Sequence, residues 1–141
     1  MKNQYFVRFW GSIWKYKAHP LCMMITIVLY LTNQIVFKKC FTGIVGYFCN
    51  CFFNDLICQL FFLPYVQIFL IWAEREIKSY IGFLIVGMVA GLIWEFLAPL
   101  INAKAVTDIY DLICYFIGVH IYYVITIVEK KIVTSKMKII S

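Results

Sequence analysis

Four long, mainly apolar runs recur along this chain, at 20–37, 55–73, 80–101 and 109–128, and nothing else in it limits the fold as strongly. About 17–25 such residues carry a helix across the hydrocarbon core of a bilayer. Inside hydrocarbon each backbone N–H and C=O needs a partner within its own segment, so the runs are read as helices. The expected fold is an all-α membrane protein with four transmembrane helices, forming a single membrane domain over 1–141. Composition agrees. The chain is 64% hydrophobic and 14% charged, against roughly half and a quarter for soluble domains, so too few polar side chains remain to cover a water-facing surface.

The segments between and beside the runs have their own readings. In residues 1–18, Phe6, Phe9, Trp10, Ile13 and Trp14 recur at helical spacing, with Lys2, Arg8 and Lys15 largely off that stripe. This predicts an N-terminal amphipathic helix at the membrane interface, not a cleavable signal peptide. Residues 41–53, FTGIVGYFCNCFF, are apolar but too short to cross, and Gly43, Gly46 and Asn50 interrupt them. They read as a short re-entrant or interfacial segment. Pro20 opens the first span and Lys38-Lys39 closes it. Pro64 should kink the second and free the carbonyl of Leu60. The basic tail from Glu129 onward is assigned to the membrane surface.

Orientation follows from the positive charges. One side holds Lys2, Arg8, Lys15, Lys17, Arg75, Lys78, Lys130, Lys131, Lys136 and Lys138, and the other only Lys38, Lys39 and Lys104. The positive-inside rule puts both termini in the cytoplasm of a plasma-membrane protein, with the Lys38-Lys39 pair running against it. The bases lie in gaps between apolar runs, not in an aromatic-laced patch, so nucleic acid is excluded as a partner.

That topology sorts the acidic residues. Glu74, Glu76 and Glu129 fall on the cytoplasmic side, whereas Asp55, Glu95, Asp108 and Asp111 gather in the outer half of the bundle. Glu95 continues the stripe of Gly87 and Gly91, small residues that let another helix approach. Asp108, Asp111, Tyr115, Gly118 and Tyr122 form a second stripe, and Asp55, Gln59 and Gln67 a third. Ionisable groups at membrane depth are costly and face a partner or a wet cavity. The polar pocket candidates are therefore Glu95, Asp111, Asp108, Asp55, Gln59 and Tyr115. Asp108, and Asn54 or Asp55, are equally suited to cap their helices. Glu95 is too deep for a cap. Carboxylates gathered this way repel, so the cluster calls for a proton, a divalent or other cation, or Lys104 to balance it.

The sequence Leu-Ile-Trp-Glu95, followed by Asp108-Ile-Tyr-Asp111 and then Gly118, resembles the VanZ-like family of small bacterial membrane proteins. The likeness covers about Asn54 to Val124, and the family pattern usually carries Asn where this chain has Tyr115. It implies a cell-envelope protein linked with glycopeptide antibiotic resistance, and Glu95, Asp108, Asp111 and Gly118 as the matching positions.

The remaining reactive side chains give little chemistry. Cys49-Asn-Cys51 lacks zinc-knuckle spacing, and the six cysteines read as small apolar side chains, with a Cys40 disulfide to the 49–58 region as the minor alternative. His19 reads as an interface residue, and His120 lies half a turn away from Asp111. No Ser-His-Asp set, phosphate-cradling loop or HExxH motif is present. Three functions are weighed. One is a non-enzymatic outward-facing acidic pocket for a lipid headgroup, a cell-wall or glycopeptide ligand, or a cation. Another is a metal-dependent hydrolase or transferase acting on a lipid-linked substrate. The last is an accessory subunit of a larger complex, with the small-residue face and the aromatic N-terminal helix as its partner surfaces.

Overall fold

A computed structural model describes residues 16–101 and 108–140, and the regular structure among them is entirely helical. Helix α1 spans Ala18–Thr32 and continues through a π-helical turn, Asn33–Phe37, into Lys38–Cys40. A short α2, Gly43–Cys51, leads into α3, Phe53–Trp72. Helix α4 is Tyr80–Ile101 and α5 is Ile109–Ile140. Four stretches are long and apolar enough to cross a bilayer: Ala18–Cys40, Phe53–Trp72, Tyr80–Leu97 and Ile109–Ser135. The protein is thus an all-α chain with four membrane-spanning helices. The expected interfacial helix over 1–18 lies, but for its last three residues, outside the described residues, as does Lys104.

Two boundaries differ from the sequence reading. The first helix begins before Pro20 and runs past Lys38-Lys39 to Cys40. The basic tail is not a separate surface segment, because α5 continues unbroken to Ile140. The physical reason is plain in the sequence: no Gly or Pro follows Gly118, and nothing else there stops a helix.

The bundle is turned inside out relative to a soluble one. Apolar side chains such as Ile44, Ile81, Phe96 and Leu100 are exposed, whereas His19, Thr26, Asn33, Gln59, Gln67, Glu95, Thr126 and Glu129 are buried. Facing lipid, that distribution places each polar group where another helix can satisfy it. Helix α3 is central. It packs along α5 on one side and α1 on the other, α4 leans mainly on α5, and α1 and α4 barely meet.

Small residues set the closest approaches. A Cβ added at Gly91 would lie 2.6 Å from the Tyr115 ring, and one at Gly87 would collide with Val119. At Gly118 the obstacle is backbone, since an added Cβ would sit 2.8 Å from the Leu56 carbonyl oxygen. All three glycines face the contact among α3, α4 and α5.

Buried polar contacts pin the rest. The Leu60 carbonyl, left without a helical donor by Pro64, accepts from Cys22 Sγ at 3.2 Å and Thr26 Oγ1 at 3.3 Å on α1. Gln67 clasps the α3–α4 loop by donating to Ile77 O at 3.0 Å and accepting from Ile77 N at 3.1 Å. Asn33 Nδ2, in the π-helical turn, donates to Cys49 O at 2.9 Å and to Asn54 Oδ1 at 3.0 Å, tying α1 to α2 and α3. All six cysteines are free.

Candidate functional site

Helix α5 presents two buried tyrosines on one face, seven residues apart: Tyr115, 1% exposed, and Tyr122, fully buried. Seven residues is close to two helical turns, so the hydroxyls project from one stripe at two depths. Each is the hub of a polar cluster.

At the end of the bundle away from the termini, Tyr115 Oη donates to Glu95 Oε1 at 2.8 Å and lies 3.1 Å from Asp55 Oδ1. Three helices thus send one side chain each to a common point: Asp55 from α3, Glu95 from α4 and Tyr115 from α5. Local sequence explains each position. Gly91, one turn before Glu95, lets the Tyr115 ring lie flat against α4. Asp55 sits in the first turn of α3, where no side chain caps the preceding Phe52 and a carboxylate is favoured by the helix dipole. One turn on, Gln59 Nε2 donates to Gly87 O at 3.0 Å, while its Oε1 is buried without a partner.

The hydrogen count at Tyr115 is the telling feature. A phenol has one hydrogen to donate, yet two carboxyl groups lie within bonding distance of its oxygen. One carboxyl takes that hydrogen. The other needs a proton of its own, or a further donor or cation, to be held there attractively. Asp111 adds to the same field, within electrostatic range of both Asp55 and Glu95.

Asp108 plays the other role weighed for it. Its Oδ1 accepts from Tyr110 N at 3.1 Å and its carbonyl from Asp111 N at 3.1 Å, so it caps α5. Of the six candidates, the structure joins Glu95, Asp55 and Tyr115 directly. Gln59 lies one turn deeper as a packing contact, Asp111 sits nearby, and Asp108 is a cap. Among the described residues no three His, Cys, Asp or Glu side chains are grouped to hold a metal ion. No family model, curated protein or solved structure matches this chain.

Beside the cluster lies a cavity of about 520 Å³. Its floor is α3 from Asn54 and Asp55 to Phe61 and Phe62; Thr26, Ile27 and Tyr30 of α1 form one wall and Trp94 of α4 the other. It exists because α1 and α4 flank α3 without closing over it.

The second cluster, nearer the termini, corrects two expectations. His19 is buried, not an interface residue, and bonds to Tyr122, with Nδ1 2.9 Å from Oη. Glu129, assigned to a surface segment, is 9% exposed within α5. Its Oε1 accepts from Ala18 N at 2.6 Å, and its Oε2 lies 3.9 Å from His19 Nε2. The physical reason is the open start of α1. The first N–H groups of a helix lack internal acceptors, Lys17 offers no side-chain cap, and a carboxylate from α5 supplies one. Sequence reasoning missed this because Ala18 and Glu129 are 111 residues apart. It also passed over Asn33, though an Asn inside an apolar run was a visible signal. His120 does lie off the acidic face: it is exposed, its ring 5.9 Å from that of Tyr80.

Proposed function

We propose that this chain is a VanZ-like protein of the bacterial plasma membrane, with cytoplasmic termini and a non-enzymatic acidic pocket at its outer end. The pocket recognises a ligand group that is positively charged or rich in hydrogen-bond donors, on a lipid headgroup or a cell-wall or glycopeptide molecule. The observation carrying this reading is the single Tyr115 hydroxyl set between the carboxyls of Asp55 and Glu95. Two carboxyls meet there at one point, and a cationic or donor-rich group is the ligand class best suited to them. The sequence motif around Glu95, Asp108, Asp111 and Gly118 supports the family assignment and the link with glycopeptide resistance.

The test is teicoplanin susceptibility of bacteria carrying the wild-type chain, Glu95→Gln or Asp55→Asn at equal membrane levels. Both substitutions keep the hydrogen bond from Tyr115 and remove the charge. We expect both to lose the resistance phenotype. Unchanged susceptibility across all three would overturn the pocket. The enzymatic alternative is less well supported, because the Tyr115 hydroxyl is committed to the carboxyls. Turnover of a lipid-linked phosphate by purified protein, abolished by Asp111→Asn, would favour that alternative instead.

A further inference from the structure

The cavity along α3 has a width that limits what can fill it. Its lining follows α3 from Asn54 to Phe62, about 12 Å of helix axis. A volume of about 520 Å³ over that length gives a channel roughly 7 Å across. A helix with its side chains is about 10–12 Å across, so no further helix, from a partner or from a second copy, fits there. Every lining residue lies in one of three membrane-spanning stretches, Ala18–Cys40, Phe53–Trp72 and Tyr80–Leu97. Along the channel Ile27, Tyr30, Phe61 and Trp94 are exposed, so it faces acyl chains and not bulk water.

We infer that this channel holds an acyl chain of one bilayer phospholipid, laid along α3 between α1 and α4 whatever the headgroup. Two observations decide the class. The body of the channel is hydrocarbon and aromatic, made by Ile27, Ile57, Phe61, Phe62 and Trp94. Three of its polar side chains are committed to the protein. Thr26 Oγ1 donates to the Cys22 carbonyl and lies 3.3 Å from that of Leu60. Asn54 Oδ1 accepts from Asn33, and Asp55 Oδ1 from Tyr115. Water gains little from such walls, because a held water needs two to four polar partners. Left empty, the channel forfeits dispersion contacts on every side. An acyl chain restores them without stripping water from any polar group, and the width selects it over a helix. The inference goes beyond the acidic-pocket reading and does not rest on it, since no charge enters the argument.

The test uses the full chain in vesicles of phosphatidylglycerol and phosphatidylethanolamine, doped with either phospholipid carrying a diazirine at the middle of one acyl chain. The protein is extracted in mild detergent, washed free of loosely held lipid and irradiated, and the attachment sites are mapped by peptide mass spectrometry. We expect one lipid per chain with both headgroups, attached within 26–30 of α1, within 54–62 of α3 or at Trp94. Cys58→Trp, which fills the channel from an exposed position in its lining, should lower the yield about tenfold. Cys58→Ser leaves the channel open and should not change it. Labels spread equally over lipid-facing residues outside the channel, such as Ile81 and Ile85 on α4, would overturn the inference. No retained lipid, attachment with one headgroup alone, or full labelling of a monodisperse Cys58→Trp protein would do the same. A Cys58 disulfide between two chains, formed by mild oxidation in the vesicles, would put a second copy on the channel and overturn it as well. The wild-type map decides even if Cys58→Trp fails to fold.

Discussion

The two tyrosine clusters on α5 are built from similar parts and balance their hydrogens differently. Around Tyr122 donors and acceptors alternate, with Glu129 Oε2 3.9 Å from His19 Nε2. With His19 Nε2–H turned to Glu129, Nδ1 accepts from Tyr122 Oη, and Glu129 Oε1 takes the Ala18 N–H. Around Tyr115 one hydrogen faces two carboxyls, with Asp111 nearby. A balanced buried network holds helices together, whereas an unbalanced one costs stability and persists where something else completes it. On the reading proposed above, the comparison sets a structural joint beside a candidate ligand site.

The contrast can be broken in stages. The largest effect is expected from Gly118→Val, which wedges α5 off the Leu56 carbonyl between the two tyrosines. Overpacking against backbone should cost about 3 kcal/mol, the upper part of the usual range, read as a collapse of thermal stability in detergent and a loss of both clusters. Next comes Tyr122→Phe. It strands a buried His19 nitrogen, and we expect a loss of about 1–3 kcal/mol in equilibrium unfolding. Tyr115→Phe should be milder for stability, within about 1 kcal/mol, because the hydrogen it removes was insufficient for its two acceptors. The smallest effect is expected from Lys130→Ala. The Lys130–Glu76 pair is close, at 2.8 Å, but its lysine is 40% exposed, so the loss should be about 0.5 kcal/mol or less and shrink further in high salt.

The sequence exposes some of this and conceals the rest, for physical reasons. The four spans are legible because run length and apolarity are local quantities that the bilayer fixes. Glu95 is legible because a carboxyl six residues inside a span end has no bland explanation as a cap. Tyr115 appears in the right stripe, but as a neighbour of the acids; its place between them depends on the α3–α5 register, which Gly118 and Gln59 set by packing. The Glu129 cap of α1 is invisible, since it joins residues at opposite ends of the chain, and hydropathy counts a carboxylate near a span end as surface. Asp108 was legible as either cap or site, and only backbone geometry separates the two. The cavity could not be read at all, because it is the space left where α1 and α4 flank α3 and barely meet.

The central claim is that the Tyr115 cluster gathers two carboxyls on one hydroxyl and the Tyr122 cluster only one carboxyl beside its histidine. The most direct measurement is the melting temperature, in one detergent, of Glu95→Gln beside Glu129→Gln. Removing surplus charge should leave the first at or above wild type. Putting an amide donor against a histidine donor and a helix start should lower the second. A Glu95→Gln protein that melts below wild type by as much as Glu129→Gln does would contradict the account.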